Sequence, residues 1–450
     1  MNKLTQKISA GIGGQGIGAI LARGAAGAFI VDGLGQAAVL GVQILLTRTM
    51  GTATYGVYAY AMAWVNVLFL IARLGLDPLL VRHTSAYKAK EEWGLLRGLV
   101  QRSNLWSFSA SLFLASVAAI VVWLLRDRLG EQLTLTFIFG LASLPLLTAA
   151  SLCQSTLNGL KHVVLGQLPN RILRQSFLAI FIFGAIFLFN RSITGPLAMA
   201  LTFAAVLLSV LIGLYWLRGR LPSAIYATKA TTLDQEWLRT AMPMLLAGGA
   251  YMLTQKIDTL MLGPMAGITA VGIYAVASRV AEFTLFGLTA ATAIAAPMIS
   301  EAFSKKKEHE LQRVVTLTAQ GALAFSIPFT LIIFLFGNQI LGLFGPEFKD
   351  GYWVLAILVG GQLINAMTGP IGVLMNMTGR QNQLLLIQAT ALVANVVLNY
   401  FFILAYGAIG AAIATGIVNV GWNIVATIYA YRAFNVNSFA LSSLFKRRNK

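Results

Sequence analysis

The chain has 450 residues, of which 58% are hydrophobic and only 11% charged, and it carries a formal net charge of +18. Soluble domains run at about 45–50% apolar and about 25% charged, so this balance excludes an ordinary soluble domain and points to a membrane protein. The single cysteine, Cys153, excludes an intramolecular disulfide and a thiolate metal cluster, and is expected as a small packing residue.

Residues 1–23 form a basic tail without a compact apolar region that ends in a cleavage site. Its "GIGGQGIG" (11–18) has the glycine content of a nucleotide loop, but no strand precedes it, so it reads as a flexible lead-in. From there apolar segments of about 20 residues, the length that crosses a bilayer core, follow one another. The predicted spans are 24–47, 54–76, 104–125, 133–155, 172–190, 195–217, 240–263, 268–297, 315–337, 353–376, 384–405 and 408–431. Each is expected to be a helix, because a helix satisfies its own backbone hydrogen bonds in lipid. His83, His162 and His309 fall in predicted loops, with no metal-ligand spacing.

The basic residues decide direction. With the N-terminus inside, the inside segments hold 25 of the 33 Lys and Arg, the outside segments hold 5, and Arg73, Lys256 and Arg279 fall within spans. This asymmetry predicts that both termini are cytoplasmic. It also accounts for the net charge, since "KKKEHELQRVV" (305–315) and "LFKRRNK" (444–450) face anionic headgroups and carry no base-stacking motif. Nucleic acid is therefore not an expected partner.

The halves resemble one another. "TYGVYAYA" (54–61) matches "AVGIYAVA" (270–277) at an offset of 216, through Gly56/Gly272, Tyr58/Tyr274, Ala59/Ala275 and Ala61/Ala277. "STLNGLKHVVL" (155–165) aligns with "MNMTGRQNQLL" (375–385), and "GPLAMALT" (195–202) with "GAIGAAIA" (407–414), at offsets of 220 and 212. Six is even, so the repeats are parallel, an arrangement found in transporters. The expected fold is an all-α integral membrane protein of about 12 transmembrane helices. They form two parallel six-helix bundles related by a pseudo-two-fold axis along the membrane normal. The bundles are placed at 24–217 and 240–431, joined by a polar cytoplasmic linker at 218–239 and followed by a basic tail at 432–450.

Ionisable residues inside a span are costly and usually face a partner or a watery cavity. Asp32, Gln36 and Gln43 share a face of the first helix, and Asn66 and Arg73 share a stripe of the second. Tyr251, Gln255 and Asp258 share one of the seventh, and Arg279 and Glu282 sit three apart in the eighth. These four spans are the expected cavity lining, with Arg48 at the outer end of the first. The amides Gln362, Asn365, Asn376, Gln388, Asn395, Asn399, Asn419 and Asn423 read instead as interhelical hydrogen bonds. The chain shows no nucleophile–base pair, phosphate loop or ATPase module. No catalytic residue, metal site or cofactor is expected, and any drive must come from a gradient, the membrane potential or the substrate's own concentration difference.

Three segments carry a family resemblance. They are "LTRTMGTATYGVYAYAMAWVNVLFLIARLGLDPLLVRHTSAY" (46–87), "KIDTLMLGPMAGITAVGIYAVASRVAEF" (256–283) and "FGPEFKDGYWVLAILVGGQL" (344–363) leading into "NMTGRQNQ" (376–383). The chain resembles the multidrug/oligosaccharidyl-lipid/polysaccharide exporter superfamily, and within it the polysaccharide flippases. "ASRVAEF" (277–283) also looks like the eighth helix of the lipid II flippases, whose Arg-x-x-Glu arginine faces a central cavity; this carries onto Arg279 and Glu282. Arg48 matches an arginine at the end of that family's first helix. Those proteins have fourteen helices, and an Arg-Asp pair where this chain has Gly41 and Val42.

The resemblance implies a flippase of the bacterial inner membrane for an undecaprenyl-pyrophosphate-linked O-antigen, capsule or exopolysaccharide unit. It implies alternating access, the pyrophosphate at Arg279 with help from Arg73 and Arg48, and the lipid tail in a gap between helices 1 and 8. Glu282 and Asp258 would hold the arginine or bind a coupling cation, Na+ or H+. A glycan polymerase and chain-length machinery are expected partners. The competing readings are a multidrug/cation antiporter, a lipid II flippase, or a non-transport scaffold or polymerase.

Overall fold

A computed structural model describes residues 17–187 and 193–440, with the side chains of 17–30, 247, 248, 251 and 293 left aside. Residues 1–16 and 441–450 of the two predicted tails and the Tyr251 side chain therefore lie outside the described residues. Within them the chain is helical, with no strand. Nine elements among the described residues are long and apolar enough to cross a membrane. Once two breaks are recognised they account for eleven of the predicted twelve spans, and the seventh, 240–263, is not among them. Val31–Ala72 has 42 residues and Gln381–Phe434 has 54. At about 1.5 Å per residue, each is about twice as long as a bilayer core is thick. Each is interrupted by one non-helical glycine, Gly51 (φ 71°, ψ 176°) and Gly407 (φ 57°, ψ −130°), so each carries two spans. The predicted seventh span is not one helix. It divides into Asp234–Thr254 and Ile257–Ala266 at Lys256 (φ −121°, ψ −15°).

The segments predicted as cytoplasmic loops are more ordered than expected. Leu76–Ala89 is a helix because Leu76, Leu79, Leu80 and Tyr87 repeat on one buried face. It contains His83, and His309 lies in the helix Glu308–Gly342, so neither is in a loop.

The chain divides into two compact units. The first comprises Met1–Met50 and Trp64–Gly249, the second Gly51–Ala63 and Ala250–Lys450. In the first unit, Trp237 is fully buried in a cluster with Leu76, Leu80, Leu96 and Leu99, and its Nε1–H donates to the Tyr87 hydroxyl at 3.0 Å. Burying a large apolar side chain stabilises by about 1.5–3 kcal/mol. The segment 218–239 is thus a strap as well as a linker. Arg97 Nη1 holds it by donating to the carbonyls of Tyr226 (3.1 Å) and Thr228 (2.9 Å). Cys153 packs with Leu157, Leu160 and Leu217.

In the second unit the core gathers Ile299, Val315, Leu374, Met375 and Ala426. Here the repeat acquires a physical meaning. A Cβ on Gly272 would lie 2.3 Å from the Thr52 carbonyl oxygen and 3.3 Å from Gly56 Cα, and one on Gly56 would lie 2.0 Å from the Ile268 oxygen. The two equivalent glycines of the repeat meet at one helix crossing, which any side chain would force apart. Outward side chains such as Phe113, Trp123, Leu335 and Phe401 are large, apolar and exposed, as a lipid-facing surface requires.

Candidate functional site

The deepest charge is Asp258, 3% exposed in the helix Ile257–Ala266. Four donors converge on its carboxyl group. Oδ2 accepts from the Tyr274 hydroxyl (2.6 Å) and the Thr415 hydroxyl (2.6 Å). Oδ1 accepts from Asn399 Nδ2 (2.8 Å) and Asn395 Nδ2 (3.3 Å). Asn395 and Asn399 sit one turn apart on a single helix face, and Asn399 Nδ2 also donates to Asn395 Oδ1 at 2.7 Å. Among the described residues no cationic side chain forms a salt bridge with Asp258. An arrangement of donors with no counter-charge is built for an anionic group, and taking such a group out of water costs several kcal/mol.

This corrects one feature of the sequence reading. Gln255 and Asp258 do not share a helix face, because the break at Lys256 intervenes. Gln255 is exposed, whereas Asp258 turns into the unit. Tyr274 and Thr415 were not legible as its partners; the signal available was only that a buried carboxylate needs donors.

Arg279 and Glu282 are paired as their spacing predicts, with Nη1 donating to Oε2 at 2.6 Å. Their side chains are 25% and 49% exposed, so the pair is reachable rather than sealed. It occupies the last turn of Ile268–Glu282, where the helix tightens into a 3-10 turn at Phe283–Leu285 before Phe286–Ser304. A 3-10 stretch inside a long helix often marks a hinge.

In the first unit, Asp32 pairs with Arg171 at 3.1 Å. Arg73 donates to Asp77 Oδ2 at 2.7 Å and lies 4.5 Å from the centre of the Phe69 ring. Asp77 Oδ1 also accepts from Ser151 (2.9 Å) and Ser155 (3.2 Å). Arg73 is therefore engaged in a network that ties the helix Leu76–Ala89 to Leu144–Gly159, and Asp77 is the partner that the sequence did not single out. Arg48 is exposed and lies at a groove of ≈ 860 Å³, counted to its open mouth. The groove walls include Val42, Leu45, Ala179 and Phe183, with Gln175 beside them. Asn66 is half-buried.

The amides of the last three predicted helices divide into two sets. Asn395 and Asn399 bond to Asp258, and Asn423 Oδ1 accepts from Thr368 at 2.8 Å, as interhelical bonding predicts. Gln362, Asn365, Gln388 and Asn419 do otherwise: they line a cleft of the second unit together with Thr254, Gln255 and Trp422. Among the described residues no cluster of His, Cys, Asp and Glu has the makings of a multivalent metal site.

Comparison with known proteins follows these features. A profile of the polysaccharide biosynthesis protein family matches residues 21–303, more than half of the chain, and the MatE profile matches 243–401. Two curated proteins of Haloferax volcanii are similar in sequence. "Probable low-salt glycan biosynthesis flippase Agl15" is 27% identical over 162 residues, 36% of this chain and 34% of that protein. "Probable flippase AglR" is 26% identical over 226 residues, 49% and 47% of the two chains. The chain thus spans between a third and a half of the curated relatives it matches.

Solved structures share the fold. An inward-facing multidrug resistance MATE family transporter of the MOP superfamily superposes with a TM-score of 0.75 at 15% identity, over 88% of this chain and 94% of that one. The lipid II flippase MurJ in an inward closed conformation gives 0.69 at 14%, over 92% and 90%. A MOP superfamily transporter from Pyrococcus furiosus gives 0.66 at 16%, over 93% and 96%. The chain belongs to the polysaccharide biosynthesis protein family, and its fold is that of the multidrug/oligosaccharidyl-lipid/polysaccharide exporter superfamily.

Proposed function

We propose that the protein is a flippase that carries a polyprenyl-pyrophosphate-linked oligosaccharide across the cytoplasmic membrane by alternating access, with both termini cytoplasmic. The observation that carries this reading is the family match over residues 21–303, which contains the Arg279–Glu282 pair. The relatives named as a glycan biosynthesis flippase and a flippase support it. The chemistry is consistent. A pyrophosphate in a low-dielectric setting needs charge-assisted donors, and a guanidinium presents a planar fork that fits phosphate oxygens. Glu282 holds Arg279 in one orientation until substrate oxygens compete for it. Arg48 lies beside an apolar groove of the first unit, and Arg73, already committed to Asp77, serves a structural role.

Asp258 supplies the coupling. Its oxygens, with those of Asn395, Thr415 and Tyr274, form a set that suits a hard monovalent cation. Either Na+ or a proton would neutralise this buried carboxyl group, which no basic side chain among the described residues balances.

The experiment is replacement of Arg279 by Ala and by Lys, with surface glycan measured at matched protein abundance. The reading expects loss with Ala and partial retention with Lys. Full glycan with Ala would sink the role of Arg279. A second reading, cation export, is favoured by the MatE match over 243–401. It expects drug resistance that depends on Asp258 and is indifferent to Arg279.

A further inference from the structure

The cleft between the last predicted helices and Thr254 has a chemistry that neither Arg279 nor Asp258 uses. It is a narrow cleft with an open mouth and lies wholly within the second unit. Five of its lining side chains are carboxamides: Gln255, Gln362, Asn365, Gln388 and Asn419. A sixth is the indole of Trp422, and among the described residues no ionisable side chain contributes. Gln362 is 9% exposed, and its buried Oε1 has no hydrogen-bond partner among the described residues. A buried acceptor left unpaired carries a desolvation cost, and one that persists needs a reason.

The composition selects the ligand. A carboxamide offers an acceptor and two donors, so it complements a hydroxyl, which is both. An anionic ligand would find no counter-charge among the described lining residues, and an apolar one would leave Gln362 Oε1 unpaired. A cation would find carbonyl oxygens but no carboxylate on the lining. The indole supplies an apolar surface for ring C–H groups beside the polar wall. We propose that this cleft is a subsite for a neutral sugar ring, recognised through its hydroxyls by Gln362, Asn365, Gln388 and Asn419 and through its C–H face by Trp422. The proposal deepens the flippase reading and rests on it: Arg279 takes the pyrophosphate, and the amides take part of the glycan.

The cleft also adjoins the Asp258 network. Asn395 Nδ2 donates to the carbonyl oxygen of Thr254, a residue of the cleft wall, at 3.5 Å, and to Asp258 at 3.3 Å. Gln388 lies on the same helix face as Asn395 and Asn399, two turns before the first. Sugar occupancy and charge at Asp258 are therefore separated by one amide.

The test uses the full-length protein in lipid nanodiscs. Saturation-transfer difference NMR would be recorded with methyl glycosides of glucose, galactose, mannose and N-acetylglucosamine. Undecaprenyl pyrophosphate binding would be measured in parallel. The expected result is a signal from at least one glycoside, weakened about three- to tenfold by Gln362→Leu and by Gln388→Leu, the scale of one lost hydrogen bond. Arg279→Ala should leave that signal intact while weakening undecaprenyl pyrophosphate. Gln362→Leu should hold or raise the melting temperature, because it removes an unpaired acceptor; a lowered melting temperature would mark a structural amide and overturn the proposal. Binding of undecaprenyl pyrophosphate with no glycoside signal would overturn the subsite and leave the flippase reading standing, as would a signal unchanged by both Leu variants. Binding of neither probe would overturn both.

Discussion

The strongest prediction concerns Thr415 and Asp258. Thr415→Val keeps the shape of the side chain and removes one donor at 2.6 Å from Asp258 Oδ2. Hydrogen bonds to charged groups are worth about 1.5–3 kcal/mol in general. Interhelical bonds in membranes average about 0.6 kcal/mol and reach about 1.7. This bond is short and directed at a 3% exposed carboxyl group, so the overlap of the two ranges applies, about 1.5 kcal/mol, or roughly tenfold in the folding equilibrium. Asp258→Asn is milder than truncation. Its carbonyl can face Asn395 and Asn399, and its amide can face Tyr274 and Thr415, whose hydroxyls rotate to accept. In that background Thr415→Val should therefore cost about 1 kcal/mol less than in the wild type. The assay is unfolding of the purified chain in mixed micelles for the wild type, both single variants and the double variant. Single effects that add to within about 0.5 kcal/mol would refute the idea that the hydroxyl acts through the carboxyl group. The same four proteins report on coupling. If Na+ occupies the network, Na+ in place of choline should raise the wild-type melting temperature and leave Asp258→Asn unmoved.

Other predictions follow from the packing and the charges. Gly272→Ala and Gly56→Ala each place a methyl group against backbone, and should cost about 1–3 kcal/mol or more and lower membrane abundance. Gly360→Ala, with nothing within 4 Å of the added carbon, should be neutral or stabilising in the same assay. Arg73→Ala and Asp77→Ala should each destabilise the first unit by more than half of what the double variant does, because each leaves a partner unpaired; strict additivity in an unfolding series would exclude the network. Burial holds the His83 imidazole below its ordinary value near 6.5, Arg82 pushes the same way and Glu236 opposes them. Protonation therefore favours the unfolded chain, so this contribution is complete above pH about 6.5 and is lost as pH falls through the lowered value. His83→Gln should flatten the melting temperature between pH 7.5 and 5; an unchanged slope would show that His83 is not responsible.

The spans, their helical nature and the duplication were legible because each is written in composition or in a regular offset. Two of the breaks were legible as well: Gly51 falls between the predicted spans 24–47 and 54–76, and Gly407 between 384–405 and 408–431. The break at Lys256 was hidden by continuous hydropathy, which is why Gln255 and Asp258 were placed on one face. The Arg279–Glu282 pair was legible because both partners lie within one turn. Asp77, Tyr274 and Thr415 were not, since their partners are brought close by tertiary packing. The amides show the limit most clearly: all eight read alike in sequence, yet some close interhelical bonds and others open onto a cleft.

The duplication sharpens what those differences mean. Tyr58 and Tyr274 occupy equivalent places at an offset of 216, but the residue equivalent to Asp258 is Val42, and those equivalent to Arg279 and Glu282 are Ala63 and Asn66. Gly56 and Gly272, by contrast, are kept in both halves and meet at a crossing. What the frame needs in order to pack is present twice; the carboxyl group with its four donors and the arginine–glutamate pair are present once. The structural Arg73–Asp77 pair is also present once, with Thr289 and Ala293 at the equivalent positions, so each half has diverged from the common frame in both its packing and its polar chemistry. The same asymmetry extends to the amide cleft, which is built on Thr254, Gln362, Gln388 and Asn419 of the second unit alone. The second unit thus carries the carboxyl network, the arginine pair and the amide cleft on one side of the duplication, and the first unit carries Arg48 beside a groove walled by Val42, Leu45 and Phe183.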